Sequence, residues 1–324
     1  MGVVLATSRS FSSGSVDLVA RLAGAGHSVR TGPADHDLDA LRPLLADADA
    51  WIAGTGPVTA AHLDAAPRLR VVARYGVGYE AVDVPAATER GITVTNTPGA
   101  NSAAVADHAV GLMLAVLRGI PEGDRRVRAG EWRVLRGREL GSLRVGLVGF
   151  GRIGRGVAAR LSGFAARIAV HDPWVGDDVL EAIGAVRLDL AALPAECDLV
   201  TLHSPGGGTV VDARWLAGAR PGLVLVNTAR PDLVDEAAVA DALRSGALAG
   251  FAADTLAGDT RGDASPLLAP DLAERVVVTP HFGAQTVEAV DGMGGMAVDN
   301  VLAVLAGDEP PFPVPGSRPS ERTA

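Results

Sequence analysis

Cysteine is all but missing from this chain: Cys197 stands alone among 324 residues. One thiol builds neither a disulfide framework nor a thiolate zinc site, and no His/Asp/Glu cluster has metal-ligand spacing, so no metal is expected. Long apolar runs are absent too. The longest, Ala109 to Leu117, falls far short of the ~20 residues a membrane helix needs. The chain opens on Val3-Val4-Leu5-Ala6, a strand-like run without the basic segment or cleavage pattern of a secretory signal. Basic charge is in deficit, 29 residues against 38 acidic for a net −9, which disfavours nucleic acid as a main partner. Repeats of solenoid period are not found. What is present is 48% hydrophobic and 21% charged residues, the balance of a chain that packs a core. The length suits two domains at about 150 residues each. These observations predict a soluble, cytoplasmic, two-domain protein.

Short apolar runs recur, each closed by Gly, Asp, Asn or Pro: Val3–Ala6, Ala50–Ala53, Arg70–Tyr75 and Ile92–Asn96, then Arg144–Phe150, Ile168–Asp172, Asp198–Ser204, Leu223–Ala229, Gly250–Asp254 and Val276–His281. Runs this continuous predict strands buried on both faces of a parallel sheet. The segments between them, such as Arg155–Phe164 and Asp235–Ser245, have helical spacing and composition. Alternating β and α of this kind predicts an α/β, doubly wound architecture. The series breaks between Asn96 and Arg144, where Pro98-Gly99-Ala100-Asn101-Ser102 reads as a turn and helix start, followed by a helix to Leu117. This reads as a crossover helix between two α/β domains. The tail Pro310–Ala324, rich in Pro, Ser and Arg, reads as extended or disordered.

Gly149-Phe150-Gly151-Arg152-Ile153-Gly154 has the G-x-G-x-x-G spacing, weak by itself in a chain with 40 glycines. Its context is specific. An apolar strand precedes Gly149, a helix-like run follows Gly154, and a second strand ends at Asp172, about 20 residues on. In this frame Gly149 makes the tight turn, Gly151 lets backbone approach a pyrophosphate, and Gly154 allows close helix–strand packing. The helix N-terminus offers its N–H groups to phosphate, and Asp172 can accept hydrogen bonds from ribose hydroxyls. The predicted cofactor is therefore NAD.

Five segments in order and spacing carry a family resemblance: Arg74-Tyr75-Gly76-Val77-Gly78, Thr95-Asn96-Thr97-Pro98-Gly99-Ala100-Asn101, the glycine motif, Val226-Asn227-Thr228-Ala229-Arg230 and Thr279-Pro280-His281-Phe282-Gly283. With them the chain resembles the D-isomer-specific 2-hydroxyacid dehydrogenases, in a short form without a regulatory domain. The resemblance implies a Rossmann NAD-binding domain at residues 98–287 and a discontinuous, flavodoxin-like substrate domain at 1–97 and 288–324. It implies an NAD-dependent exchange between a small D-2-hydroxy acid and its 2-oxo acid, in a homodimer joined through the crossover segment and the Arg125–Trp132 connection.

The catalytic residues so implied are Arg230, Asp259 and His281. Arg230 and His281 follow apolar strands, and open α/β sheets bind ligands at strand carboxyl ends. Arg230 would offer a donor fork to the substrate carboxylate and 2-oxo oxygen. His281 has the acid–base range to exchange a proton with that oxygen. The cofactor set is Gly149, Gly151, Arg152, Ile153, Gly154, Asp172, His203, Ser204, Pro205, Thr228, Ala229, Arg230, Asp254, His281 and Gly283, with Asp254 toward the nicotinamide carboxamide. The substrate set is Arg74, Val77, Gly78, Asn101 and Arg230.

Two departures from the family pattern stand beside the site. Arg230 is followed by Pro231-Asp232, where the family has glycine, and proline removes a donor and fixes φ. The family's acid is a glutamate, whereas the count from Asp254 falls on Asp259, which is either that acid with one methylene less reach or a loop residue. The segment Trp51–Pro57 lacks the arginine of phosphoglycerate-type relatives, which weakens a phosphorylated substrate without excluding one, because Arg133 and Arg136 lie in a segment that could approach the cleft. His108 reads as structural, and His27, His36 and His62, set among polar residues, read as solvated. Trp132 reads as an arm, a lid or plain packing. A second reading of the same fold is a non-catalytic NAD(H)-sensing protein of corepressor type.

Overall fold

The computed structural model describes residues 2–258 and 265–317. The chain divides into two units. One runs up to Asn101 and resumes at Ala284; the other spans Ser102–Gly283. The junctions expected from sequence were 97/98 and 287/288.

The first unit holds five parallel strands, β1 (Val3–Ala6), β2 (Ser28–Thr31), β3 (Ala50–Ala53), β4 (Val71–Arg74) and β5 (Thr93–Thr95), in the order β2-β1-β3-β4-β5. This is the flavodoxin-like order, with its switch point between β1 and β3. Sequence reasoning missed β2, because Ser28-Val29-Arg30-Thr31 lies on the sheet edge with three of its four residues exposed and carries no apolar run. Leu5, Leu41, Leu45, Trp51, Leu63, Val72 and Val94 fill one face of the sheet. The helix Val287–Ala306 packs on β3 and β4. Among the described residues it is the one helix whose length and composition would suit a membrane crossing, yet its Ala289, Val290, Met293, Ala297, Val298 and Val301 are buried.

Beyond this helix the first part of the tail, read as extended or disordered, lies against β5. Val314 donates its N–H to Val94 O at 3.0 Å, and Ser317 is fully buried with its hydroxyl on the same oxygen at 2.8 Å. Residues 310–317 are therefore ordered by hydrogen bonds to β5, which composition alone does not reveal. The rest of the expected disordered tail, 318–324, lies outside the described residues.

The second unit is a seven-stranded parallel sheet: β6 (Arg144–Val148), β7 (Arg167–His171), β8 (Val186–Arg187), β9 (Leu199–Leu202), β10 (Leu223–Asn227), β11 (Leu248–Ala253) and β12 (Val276–Val278), ordered β12-β11-β10-β9-β6-β7-β8. This is the Rossmann order, extended at one edge by β12. Helices Ser102–Arg118 and Arg152–Ser162 cover one face with Val110, Met113, Leu117, Val157 and Leu161. Trp215, Leu216, Val239 and Leu243 cover the other, against Leu225 and Phe251. Cys197 is fully buried in that second layer, and burial pushes its thiol up to about 11, an inert core group. The α/β doubly wound reading is correct for both units. Both sheets leave their chemistry-bearing loops at the carboxyl ends of the strands.

Candidate active site

Strand β6 ends at Val148, and the chain turns at Gly149 with φ +93°. A Cβ there would stand 2.7 Å from the His203 carbonyl carbon and 2.7 Å from Ser204 N, so only glycine lets this turn lie against the loop that follows β9. Those two loops flank the β6/β9 switch point, where doubly wound sheets bind their ligands. Gly154 fits for a similar reason, since a Cβ would lie 2.3 Å from Gly149 O. Gly151 differs: nothing stands within 4 Å of its Cβ position. It caps the helix Arg152–Ser162 without any side-chain cap, leaving N-terminal N–H groups for a ligand. Arg152 is exposed on that first turn, and Ile153 is half-buried.

Asp172 follows directly on β7 and reaches this turn. Its Oδ2 accepts the Phe150 N–H at 2.6 Å and its Oδ1 accepts the Trp174 N–H at 2.8 Å. Desolvation acts against the carboxylate, but these backbone donors outweigh it and hold the group below its usual range. Sequence reasoning found no basic neighbour here. The structure brings one, Arg187 on β8, which β-pairing sets beside Val170. Its guanidinium donates to Asp172 O (2.7 Å), Val175 O (2.5 Å) and Asp177 Oδ1 (2.6 Å). The two-residue strand that carries it gives no period to read.

Three polar atoms at the ends of β9 and β10 are sealed from solvent without a hydrogen-bond partner: His203 Nδ1, Ser204 Oγ and Thr228 Oγ1. Burial alone pushes the His203 imidazole down to about 4, and its Nε2 sits 3.0 Å from Thr201 Oγ1. Pro205 is exposed beside them. An open glycine, an uncapped helix start, an ionised carboxylate and orphaned polar atoms all lie around one switch point. These residues fit a dinucleotide.

The loop after β10 is tied by Asn227, a buried strand-end amide. Its Oδ1 accepts the Ala229 N–H at 3.0 Å and its Nδ2 donates to Arg230 O at 2.8 Å. Asn227 thus fixes the backbone that presents Arg230, which is half-buried with Nη1 donating to Ala229 O at 2.9 Å. Pro231 is accommodated rather than disruptive, because it opens a short 3₁₀ turn, Pro231–Leu233, where its missing N–H is not needed. Asp232 in that turn accepts the Gly207 N–H at 2.6 Å.

Asp254 follows β11 and is buried. Its Oδ1 accepts the Thr279 hydroxyl at 2.6 Å and the Phe282 N–H at 3.0 Å; its Oδ2 accepts the Gly283 N–H at 2.8 Å. The carboxylate therefore brackets His281, which follows β12, is exposed, and has φ +52°, a strained left-handed backbone for a histidine. His108, from the helix Ser102–Arg118, joins this group: its Nε2 lies 2.8 Å from Thr279 Oγ1 and 3.3 Å from Asp254 Oδ1, and its ring meets Phe282 edge-on at 5.1 Å. Desolvation works against the Asp254 carboxylate, yet His108, Thr279 and Gly283 together hold it below the usual range. Asp259 lies outside the described residues.

Strands β10, β11 and β12 are neighbours in register, Val226 beside Ala252 and Ala252 beside Val277. They carry Arg230, Asp254 and His281 at successive carboxyl ends, across two strand spacings or about 10 Å. The other substrate candidates belong to the first unit. Arg74 ends β4 with Nη1 on Tyr75 O at 2.6 Å. Val77 is fixed by Asn96 Nδ2 on its carbonyl at 2.8 Å, with Gly78 next to it and Asn101 at the end of this unit's first segment.

Two histidines read as solvated are buried in the first unit, and His27 is half-buried with Nδ1 accepting the Gly2 N–H. His36 Nε2 meets Thr7 Oγ1 at 2.7 Å and its Nδ1 meets Pro57 O at 3.0 Å. His62 Nε2 meets His36 O at 2.8 Å, and Trp51 lies between the two rings. Polar neighbours in sequence mislead here, since β-sheet packing folds both rings inward around the Gly54–Pro57 loop.

Residues 110–283 match the model of the D-isomer specific 2-hydroxyacid dehydrogenase NAD binding domain. D-3-phosphoglycerate dehydrogenase of Mycobacterium bovis is 41% identical over 278 residues, covering 84% of this chain and 52% of that protein. The chain thus spans about half the length of that relative. Glyoxylate reductase of Korarchaeum cryptofilum is 37% identical over 284 residues, 85% of this chain and 82% of its own. A crystal structure of a Thermus thermophilus protein superposes with a TM-score of 0.87 at 34% identity, covering 96% of this chain and 99% of its own. The chain belongs to the D-isomer specific 2-hydroxyacid dehydrogenase family, and the unit with the glycine turn, Asp254 and His281 is its NAD-binding domain.

Proposed function

We propose that this protein is an NAD-dependent oxidoreductase interconverting a small D-2-hydroxy acid and its 2-oxo acid. The observation that carries this reading is the delivery of Arg230, Asp254 and His281 to adjacent strand ends of the NAD-binding unit. NAD, when bound, supplies or accepts the hydride. Arg230 holds the substrate carboxylate and polarises the 2-oxo oxygen through its planar fork. His281 gives its proton to that oxygen in reduction and takes it back in oxidation. Asp259 supports the imidazolium in this scheme, and Asp254 keeps lone pairs on Oδ2 for the cofactor's carboxamide beyond its one bond to Gly283. Arg74, Val77, Gly78 and Asn101 are the further substrate-binding residues of this reading, holding a carboxylate through backbone amides.

The reading includes a cytoplasmic homodimer joined through the crossover segment and the Arg125–Trp132 connection. Ile120, Trp132 and Val134 are 56%, 84% and 95% exposed, apolar side chains that a second copy would cover. Light scattering after gel filtration measures that mass directly. The activity is tested by NADH consumption against a panel of 2-oxo acids, glyoxylate, hydroxypyruvate, pyruvate and their phosphorylated forms. Turnover of at least one is expected; NADH binding without turnover of any would overturn the enzymatic reading.

A further inference from the structure

His108 carries no role in the scheme above, yet it is in contact with Thr279, Asp254 and Phe282 around His281. Thr279 Oγ1 stands 2.6 Å from the Asp254 carboxylate and therefore donates to it. Its lone pairs are left for His108 Nε2 at 2.8 Å, so that nitrogen carries a proton and donates. The same nitrogen is 3.3 Å from Asp254 Oδ1. A relay results, His108 to Thr279 to Asp254, and from Asp254 onward to the N–H groups of Phe282 and Gly283. Gly283 shows how closely the parts fit: a Cβ there would lie 2.8 Å from Asp254 Oδ2 and 3.2 Å from His108 Cδ2. His281 lies inside this bracket, between Thr279 and Phe282, with a left-handed backbone, φ +52°, uncommon for a residue other than glycine.

We propose that His108 is a positioning residue for His281, acting through Thr279 and Asp254. Its N–H orients the hydroxyl and the carboxylate, and the carboxylate in turn holds the strained turn that presents the imidazole. The proposal rests on the reading of His281 as the acid–base group, but its structural half does not.

Two substitutions separate the roles. His108→Phe keeps a ring against Phe282 and removes the donor, whereas His108→Gln keeps a donor at about the reach of Nε2. Loss of one such hydrogen bond should lower kcat for 2-oxo acid reduction about tenfold in His108→Phe, with KM for the 2-oxo acid changed less than about twofold. His108→Gln should return kcat to within about threefold of the parent. Hydrogen exchange at the Phe282 and Gly283 amides, read by mass spectrometry or NMR, should accelerate about tenfold in His108→Phe and not in His108→Gln. The exchange measurement needs no turnover, so it decides the positioning role even where the proposed activity fails. Equal exchange and equal kcat in both variants and the parent would overturn the proposal. Equal loss in both variants, following thermal stability alone, would also overturn it and leave His108 a packing residue.

Discussion

Gly283 donates its backbone N–H to Asp254 Oδ2 at 2.8 Å, and a methyl group on Gly283 would stand at the same 2.8 Å from that oxygen. The contact that holds the turn thus forbids any side chain on it. Gly283→Ala must push away a carboxylate already tied to Thr279 and Phe282, or bend the backbone two residues after His281. Overpacking of this kind costs about 1–3 kcal/mol. A lower Tm together with a lower kcat is expected from thermal unfolding and steady-state kinetics. An unchanged pair of values would mean that Asp254 is less constrained than its three donors imply.

His281→Ala removes the proposed proton carrier and leaves the glycine turn and Asp172 untouched. The expected outcome is a fall in kcat of about 10²–10⁴-fold with NADH affinity nearly preserved, measured by fluorescence titration. Parent-like turnover would assign the proton to another group.

Asp259→Asn tests the acid the family scheme requires. Without the carboxylate the imidazolium loses a stabilising charge, so the pH above which 2-oxo acid reduction declines should move down. A pH–rate profile identical to the parent would make Asp259 a loop residue.

The sequence carried the buried strands, because runs such as Leu223–Asn227 have no polar interruption on either sheet face. It carried the glycine turn because φ > 0 and close backbone approach leave one residue type. It lost the edges: Ser28–Thr31 and Val186–Arg187 are strands only by hydrogen bonding to β1 and β7. With the second edge it lost Arg187, whose place beside Asp172 depends on pairing rather than on local pattern. It lost His108 and Asn227 for a different reason. Each works by touching one side chain or backbone group far off or around a turn, and no spacing rule encodes such contacts. His36 and His62 were misread because polarity of neighbours along the chain says little about burial when the strands on either side fold over them.

His36 gives a pH prediction with a definite sign. Burial is the main cause that pushes its imidazole from 6.5 down to about 4. The neutral form is favoured in the folded state, so the unfolded chain binds more protons between these values. Stability is fully present above pH 6.5 and is lost as pH falls toward 4, by up to about 3 kcal/mol from this group. His36→Asn removes the titration while suiting the left-handed backbone, φ +60°. Denaturant titrations from pH 7.5 to 4 should give a flatter profile in the variant. His203 titrates in the same window, so some slope should remain.

Cofactor choice is the sharpest test of the glycine-turn geometry. Asp172 is ionised, ordered by Phe150 and Trp174, and adjacent to the turn, so a ribose 2′-phosphate would bring a dianion against it. Arg187 on β8 donates into the loop that carries Asp172, and an arginine near the ribose is the residue that would welcome that phosphate. Its three donor contacts, one to the Asp177 carboxylate, commit it to the loop instead. An NAD preference of at least tenfold, roughly 1.4 kcal/mol, is therefore expected from competitive NADH and NADPH titrations. Asp172→Ser should narrow the preference by removing the repulsion. Adding Asp177→Asn should narrow it further, because Arg187 then loses the charge that holds it away. If the double variant binds NADPH no better than Asp172→Ser alone, Arg187 does not reach the ribose and the preference belongs to Asp172 by itself.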